Sequence, residues 1–375
     1  MSYDALYLHI PFCKARCYYC DFESRACTGR SEVDSYIKQL IELVEARGLA
    51  GELDAVETVY IGGGTPTVAG PALERLVRSV ARYCSPVEFT VEANPESFTA
   101  DIARALRSAG VSRISLGIQS LVDGELESIG RIHTAHEALG ALQLSKANDF
   151  VTSCDLMCGL PGQTIASFQS SLDAILAAPA PPDHVSVYPL QLEEGTPLER
   201  MVDDGLIDLP DEDFQAECME LASRRLAEEG FARYEVASYA RPSCICRHNL
   251  AYWTGSSYLG LGRSAASMSD AGAAGRDRFV QLDDAGVEFD REHLSAREAA
   301  AEDLMLACRT ARGVSRDLLE RSSRYIPRAA LEEACKRAVS LGLAAWHGSH
   351  LEPTRIGWLE GNALFGIFWD LAAAS

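Results

Sequence analysis

Short runs of β-branched and other apolar residues alternate with longer amphipathic segments over the first 240 residues of this 375-residue chain. The apolar runs predict six strands, at residues 5–9, 56–61, 87–92, 113–117, 150–156 and 184–189. The amphipathic segments predict helices near residues 31–48, 71–83, 99–109, 134–147 and 165–177. Repeats of strand and helix form a parallel sheet wound in one direction, so the pattern predicts an α/β fold built on a partial (β/α)6 barrel of the TIM type.

The pattern changes in the remainder of the chain. A helix is predicted at residues 211–229, a strand at 233–240 and a surface loop at 269–277. Further helices follow at 295–309, near 316 and at 327–340, with two short strands before the end. We therefore expect a barrel at 1–240, a linker region at 241–290 and a small C-terminal α+β domain of winged-helix-like order at 291–375.

The charge of the chain argues against polyanionic partners. It has 54 Asp and Glu against 34 Lys and Arg, a net charge of -20, which repels phosphate backbones and anionic lipid surfaces. Nucleic acid is therefore not an expected partner, despite the winged-helix-like order. Charged residues interrupt every apolar segment and the start has no basic region, so we expect no signal peptide, no integral membrane segment and a cytoplasmic location.

Twelve cysteines in a long chain without an export signal are expected to be reduced thiols rather than disulfides. Five of them fall in apolar surroundings and are expected to be small core residues: Cys84, Cys154, Cys218, Cys308 and Cys335. Three others, Cys13, Cys17 and Cys20, share one short loop directly after the first strand. Thiolates at such spacings hold iron-sulfur clusters, whereas a closed zinc site normally has four protein ligands. Zinc or unliganded thiols remain the alternatives.

Further unusual motifs follow or finish the other predicted strands, where barrels place their sites. The second strand runs into the glycine-rich stretch at residues 62–66, whose backbone can approach a ligand closely, and a tight turn without a ligand is the alternative reading. This stretch is not a nucleotide P-loop, because it lacks GxxxxGK[ST]. Polar residues mark the ends of the later strands, among them Glu92, Gln119 and Asp155.

The CxxxCxxC spacing, preceded by Tyr-x-His-Ile-Pro-Phe and followed by Asp21 and Phe22, resembles the signature of the radical S-adenosylmethionine (SAM) superfamily. Within it, the loop is similar to the oxygen-independent coproporphyrinogen III oxidase family and its HemW haem-chaperone branch. The resemblance implies a 4Fe-4S cluster on Cys13, Cys17 and Cys20 whose open iron is chelated by SAM. By motif, it also implies SAM contacts from Tyr7, Gly63, Gly64, Thr65, Glu92, Gln119, Arg131 and Asp155.

Two features bear on which branch the chain resembles. The oxidases carry a further cysteine two residues after the third ligand, and this chain has Phe22 there. The stretch from His248 to Trp253 is similar to the HNxxYW motif of the HemW branch. The resemblance therefore favours a haem chaperone that delivers haem to an acceptor protein. An oxygen-independent coproporphyrinogen III oxidase, or another radical SAM enzyme of porphyrin metabolism, is the alternative, so enzyme activity stays open.

The sequence offers two candidate haem ligands. His248 is the expected axial ligand, because imidazole is a common haem ligand, with Cys246 as its rival. A hydrogen-bonding corner is the alternative for His248, and a metal site with Cys244 and Cys246 is another. Arg263 and Ala266 stand where the family usually has Pro and His, so the chain departs from the family pattern in that segment. The sequence leaves open SAM cleavage, the identity of the acceptor and a homodimer.

Overall fold

In the first half of the chain, parallel strands alternate with helices. The computed structural model describes residues 2–373. Within this range the strands are β1 (Ala5–Ile10), β2 (Phe12–Cys13), β3 (Arg25–Ala26), β4 (Thr58–Gly63), β5 (Glu88–Ala93), β6 (Arg113–Gln119), β7 (Val151–Cys158), β8 (His184–Pro189), β9 (Ala232–Arg233), β10 (Ser238–Ala240), β11 (Tyr258–Leu261), β12 (Ala266–Asp270), β13 (Arg276–Gln281), β14 (Phe289–Leu294), β15 (Val314–Ser315), β16 (Ala344–His347) and β17 (His350–Pro353). The helices are α1 (Arg30–Leu49), α2 (Pro71–Val80), α3 (Ala100–Ala109), α4 (Asp123–Ser128), α5 (Ala135–Ala147), α6 (Ile165–Leu176), α7 (Pro197–Asp203), α8 (Glu212–Glu228), α9 (Arg247–Trp253), α10 (Ala296–Ala307), α11 (Arg316–Ser322), α12 (Arg328–Ser340), α13 (Arg355–Leu359) and α14 (Gly361–Trp369).

The barrel sheet confirms the predicted repeats of strand and helix. Strands β1, β4, β5, β6, β7 and β8 are neighbours in that order and all run parallel. A helix lies between each pair of successive strands, so the sheet winds in one direction as a partial (β/α)6 barrel. All their carboxyl ends therefore meet at one edge.

The strands bury apolar side chains against the helices at alternate positions. Val59 and Ile61 of β4, for example, are fully buried in the main hydrophobic core. Burying a side chain of this size stabilises the fold by roughly 1.5–3 kcal/mol. The positions between them point to the other face of the sheet, since successive strand residues alternate in direction. On β5 to β8 many of these alternate positions carry polar residues, which leaves the barrel interior polar.

Local signals in the sequence place the helix ends. Thr134 and Glu137 form a capping box that begins α5, and the Thr99 hydroxyl accepts a hydrogen bond from the backbone N–H of Ile102 to begin α3. Helix α3 ends at Gly110, whose left-handed backbone (φ 107°) suits glycine. These are the start and stop residues that the pattern predicted.

Two predicted elements differ in part from the structure. Within the surface loop expected at 269–277, residues 271–274 are an exposed turn, but residues 269–270 and 276–277 belong to a hairpin in which β12 and β13 pair antiparallel over five residues each. Gly275 adopts φ 101° in its turn, and a side chain there would meet the backbone oxygen of Leu294. The single strand expected at 233–240 is two short strands, β9 and β10, because the Glu235 carboxylate accepts a hydrogen bond from the N–H of Ala237 and turns the chain between them.

The region expected as a linker, residues 241–290, contributes to the main sheet. Strand β11 pairs parallel to β1, and β12, β13 and β14 extend this edge with antiparallel pairing. The sheet therefore has 12 strands among the described residues, in the order β14-β13-β12-β11-β1-β4-β5-β6-β7-β8-β10-β9. Gly260 lies in β11, where a side chain would collide with the backbone of Ala266.

The C-terminal part of the chain has its own hydrophobic core. A three-stranded sheet, β15-β17-β16, packs with helices α10 to α14 around a separate group of buried residues. The five cysteines expected in cores are all buried, two of them here: Cys84, Cys154, Cys218, Cys308 and Cys335. No helix within residues 2–373 is both long enough and apolar enough to cross a membrane.

Candidate functional site

A cavity of about 440 Å³ opens where the parallel strands end. Its size falls within the range of roughly 300–1,000 Å³ that is usual for small-molecule and cofactor sites. Ten of the residues predicted from the sequence line it, namely Cys13, Cys17, Cys20, Gly63, Gly64, Thr65, Glu92, Gln119, Arg131 and Asp155. Residues separated by more than 140 positions in sequence are thus brought together.

The three cysteines of the loop after β1 lie on one wall of this cavity. The Thr65 hydroxyl donates to Cys13 Sγ at 3.5 Å, and the Arg131 guanidinium donates to Cys17 Sγ at 3.5 Å. Burial raises the pKa of both Cys13 and Cys20. Donors of this kind stabilise a coordinated thiolate and tune the centre that it holds, so the wall fits an iron-sulfur cluster.

The spacing of the thiols bears on the kind of metal centre that they could hold. Among residues 2–373, no three His, Cys, Asp or Glu side chains are positioned to share one metal ion. A cluster has several irons and its thiolates bind separate ones, so it does not require the sulfurs to converge on one point.

The glycine-rich stretch holds the cysteine loop against the end of β4. The N–H groups of Gly64 and Thr65 donate to the backbone oxygens of Ile10 and Phe12, at 2.9 and 2.7 Å. A side chain at Gly64 would come within 2.7 Å of the Phe12 oxygen. Gly63 adopts φ 113°, and its N–H donates to the Glu92 carboxylate at 3.1 Å. These N–H groups already have hydrogen-bond partners within the protein. The stretch therefore lines the cavity with backbone that a ligand can approach closely, and it does not supply free N–H donors.

Two half-buried carboxyls, Glu92 and Asp155, form the inner wall. Glu92 accepts hydrogen bonds from the Tyr60 hydroxyl at 2.8 Å and from Gly63, and burial raises its pKa to about 7. Asp155 accepts from the Ser115 hydroxyl at 3.3 Å, and burial raises its pKa to about 6. Raised pKa values in a cavity indicate carboxyls that lack a charged partner, as is typical of ligand sites.

Arg131 and Gln119 complete the polar wall. The Arg131 guanidinium donates to the Asn94 side-chain oxygen at 2.9 Å and to the backbone oxygen of Gly117, and its Nε is buried without a partner in the described structure. Gln119 adopts φ 67° at an irregular step between β6 and β7. Strained backbone of this kind is concentrated at ligand sites, because the surrounding structure must hold it in place.

Tyr7 lies behind the cavity wall. Its hydroxyl is 3.0 Å from Nδ1 of His9. The His9 ring lies so close to Gly63 that any side chain at Gly63 would clash with it. The other ring nitrogen of His9 lies 2.8 Å from the backbone oxygen of Glu23. Tyr7 therefore supports the residues that shape the wall and does not line the cavity itself.

The structure places His248 outside the barrel cavity. The side chain is 1% exposed and does not line the cavity. Its Nδ1 is 3.0 Å from the Thr58 hydroxyl, its Nε2 is 3.1 Å from the Tyr252 hydroxyl, and its ring stacks on Tyr60 at 5.1 Å. Burial lowers its pKa to about 3, so it is neutral at physiological pH. Both nitrogens have partners, as in the alternative of a hydrogen-bonding corner.

Helix α9, which carries His248, closes the floor of the barrel. Buried Glu88 accepts from the backbone N–H groups of Arg247 and His248, at 3.2 and 3.0 Å. Buried Arg113 pairs with Glu88 at 3.2 Å and donates to the backbone oxygen of Cys244 at 2.7 Å. The HNxxYW stretch thus anchors a helix beneath the cavity, and two residues beside His248, Cys246 and Asn249, line it instead.

Sequence reasoning missed several cavity residues, which are Tyr60, Thr90, Asn94, Arg113, Ser115, Ser153 and Ser186. Most of them occupy positions of β4 to β8 that alternate with buried apolar residues. The sequence does contain a signal for some of them. Thr90 and Ser153 are polar residues two positions before Glu92 and Asp155 in otherwise apolar strands, so they lie on the same face of the sheet as those carboxyls.

Comparison with known proteins identifies the family of the chain. Residues 7–175 match the family model of the radical SAM superfamily. The heme chaperone HemW of Bacillus subtilis (strain 168) is 32% identical over 96% of this chain and 98% of that protein. The heme chaperone HemW of Escherichia coli (strain K12) is 36% identical over 70% of this chain and 69% of that protein. The solved structure of coproporphyrinogen III oxidase (HemN) from Escherichia coli, a radical SAM enzyme, has a TM-score of 0.82 at 21% identity and covers 98% of this chain and 90% of that one.

The barrel, its loop of three cysteines and the polar cavity at the strand ends define a radical SAM protein, and this class carries a 4Fe-4S cluster and SAM. Within that class, the chain belongs to the HemW family. The likeness to HemN, at 21% identity, shows the shared fold.

Proposed function

We propose that this protein is a haem chaperone, which binds haem and transfers it to an acceptor protein in the cytoplasm. One observation carries the proposal: the chain is 32% identical to the Bacillus subtilis heme chaperone HemW over 98% of that protein's length. Similarity over nearly the whole length includes the C-terminal part, so it is not restricted to the radical SAM barrel.

We assign the cluster to Cys13, Cys17 and Cys20. The three thiols share one wall of the cavity, and two of them already accept hydrogen bonds from Thr65 and Arg131. When bound, the cluster and SAM supply the radical chemistry for which this pair of cofactors is used. The contribution of the chain is to hold the sulfurs at the cavity mouth and to place positive charge from Arg131 beside them.

We assign SAM to the same cavity, with contacts from Gly63, Gly64, Thr65, Glu92, Gln119, Arg131 and Asp155. The two carboxyls suit the hydroxyl and ammonium groups of the cofactor, and the arginine suits its carboxylate. Ligand binding would give Glu92 and Asp155 polar partners in place of water. Tyr7 has a supporting role, through His9 and Gly63.

The competing function is an oxygen-independent coproporphyrinogen III oxidase or another radical SAM enzyme of porphyrin metabolism. Phe22, at the position where the resembled oxidases have a cysteine, is 62% exposed and lines the cavity mouth. The loop therefore presents an apolar ring there instead of a fourth thiol, which favours the chaperone.

The deciding experiment is to reconstitute the protein anaerobically with iron and sulfide and to add haem and coproporphyrinogen III in separate reactions. We expect a Soret band that saturates with haem, transfer of that haem to an added apoprotein, and no decarboxylation of coproporphyrinogen III in the presence of SAM and a reductant. Decarboxylation of coproporphyrinogen III without stable haem binding would show that the protein is the oxidase and would refute the chaperone function.

A further inference from the structure

A second cavity lies in the C-terminal part of the chain, between α11, α12 and β16. Its volume is about 780 Å³, larger than that of the barrel cavity, and the two cavities share no lining residue. The volume lies within the range usual for cofactor sites. We refer to it as the C-terminal cleft.

The inner surface of the C-terminal cleft is apolar. Helix α12 contributes Leu331, Cys335 and Val339, which are spaced four residues apart and therefore share one helix face. Leu319 of α11 and Trp346 of β16 complete this surface. Val339 is 42% exposed and Trp346 is 37% exposed, so the cleft presents apolar side chains to solvent. Apolar surface of this kind, rimmed by charge, marks a binding site.

The rim of the cleft carries three cations, Arg316, Arg328 and Lys336, and two carboxylates, Glu320 and Glu332. The Arg316 guanidinium lies 4.5 Å from the centre of the Trp346 ring, and Lys336 lies one residue after Cys335. Neither cation forms an ion pair with any residue between 2 and 373, whereas Arg328 pairs with Glu320. Arg316 and Lys336, at the edge of this apolar slot, match a flat apolar ligand that carries two carboxylates, and Glu332 is the one opposing charge beside them.

Cys335 provides a candidate iron ligand inside the cleft. The residue is 6% exposed, and its sulfur has no hydrogen-bond partner in the described structure. It is a free thiol on the inner surface, beside the apolar side chains of α12. Cysteine thiolate is one of the axial ligands that proteins use for haem iron.

We propose that haem binds in the C-terminal cleft, with its ring against Trp346 and Leu331, its propionates at Arg316 and Lys336, and Cys335 as the axial ligand of the iron. This inference rests on the proposed haem-chaperone function and deepens it by naming the site. On binding, the sulfur displaces an axial water from ferric haem iron and the thiol proton passes to solvent, with no change in oxidation state. The cluster and SAM then occupy a separate cavity, so one chain can hold both.

The first test removes the rim charges. Ferric haem is titrated into wild-type protein and into Arg316→Gln/Lys336→Gln, both without SAM, and the affinity is taken from the Soret band. We expect the double variant to bind at least about tenfold more weakly, because both propionates lose their counter-charges. The matched control, Arg324→Gln/Arg337→Gln, removes two exposed cations of the same region that do not line the cleft, and it should bind like wild type.

The second test concerns the iron ligand. Cys335→Ala should shift the Soret maximum, whereas Cys308→Ala, which removes a neighbouring core thiol that does not line the cleft, should leave it unchanged. If both cleft variants kept wild-type affinity and spectrum, haem would bind elsewhere and the cleft assignment would be overturned, while the chaperone function would stand. If wild-type protein bound no haem, both proposals would fail together.

Discussion

Replacing His248 with Ala tests the role that the structure gives to the HNxxYW stretch. The imidazole lies between the Thr58 hydroxyl and the Tyr252 hydroxyl, at 3.0 and 3.1 Å, beneath the barrel cavity. If it anchors α9, its loss should lower the free energy of unfolding and leave haem affinity unchanged. If it binds haem iron, its loss should lower haem affinity and leave the free energy of unfolding unchanged.

The magnitude follows from the contacts. Each hydrogen bond contributes roughly 1 kcal/mol net, and leaving the two buried hydroxyls without partners adds a further cost. The lost ring also leaves a small void against Tyr60, on which it stacks. We therefore expect His248→Ala to lower the free energy of unfolding by about 2 to 4 kcal/mol at pH 7.5, with little change in the denaturant m-value.

The pH dependence gives a second signature. The pKa of His248 is about 3 in the folded protein, against 6.5 for an unperturbed histidine. Between these values the unfolded state binds a proton that the folded state does not, so the wild-type protein loses stability as pH falls below about 6.5. The slope from one such group reaches about 1.4 kcal/mol per pH unit. The variant lacks this group, so its deficit relative to wild type should shrink by about that amount for each pH unit between 6 and 4.

The assay is urea denaturation of the apoprotein at several pH values, paired with haem titration of each variant. His136→Ala, which removes an exposed histidine of α5, is the control and should match wild type in both measurements. A variant of His248 that kept its full stability but bound haem tenfold more weakly would refute the anchoring role and restore this residue as an axial ligand.

Three other predictions concern the barrel cavity. Cys17→Ala should abolish the 4Fe-4S cluster, measured as bound iron and sulfide after anaerobic reconstitution, whereas Cys218→Ala, in the core, should retain it. Gly64→Val should lose both the cluster and SAM binding, because its side chain would press on the backbone of Phe12 in the cysteine loop; unchanged SAM affinity by calorimetry would contradict this packing. Glu92→Gln should stabilise the apoprotein above pH 7 relative to wild type, because a carboxyl with a folded pKa of about 7 loses its stabilising contribution as pH rises from about 4.5 through 7; an unchanged denaturation midpoint at pH 8 would count against its burial.

Strands and helices of the barrel were predictable because burial imposes period-two and helical patterns on the residues themselves. Helix starts such as Thr99 and Thr134 were predictable for the same reason, since a cap involves residues only a few positions apart. The hairpin at residues 266–281 was not predictable. Its small polar residues have no marked pattern, and they form strands because β11 offers them an edge with which to pair.

The sequence by itself determined the parallel barrel, the loop of three cysteines and the polar residues that end the strands, because each depends on neighbours in the chain. Only the tertiary structure decided what those residues touch. The sequence presents His248 only as a residue in a motif, whereas the fold buries it and brings Thr58, from a strand 190 positions earlier, to its ring. The C-terminal cleft likewise has no signature in sequence, since it exists only where α11, α12 and β16 leave a gap. Features that depend on residues close in sequence can be predicted from the sequence. Burial, strand pairing and cavities depend on contacts between distant segments, so only the folded structure shows them.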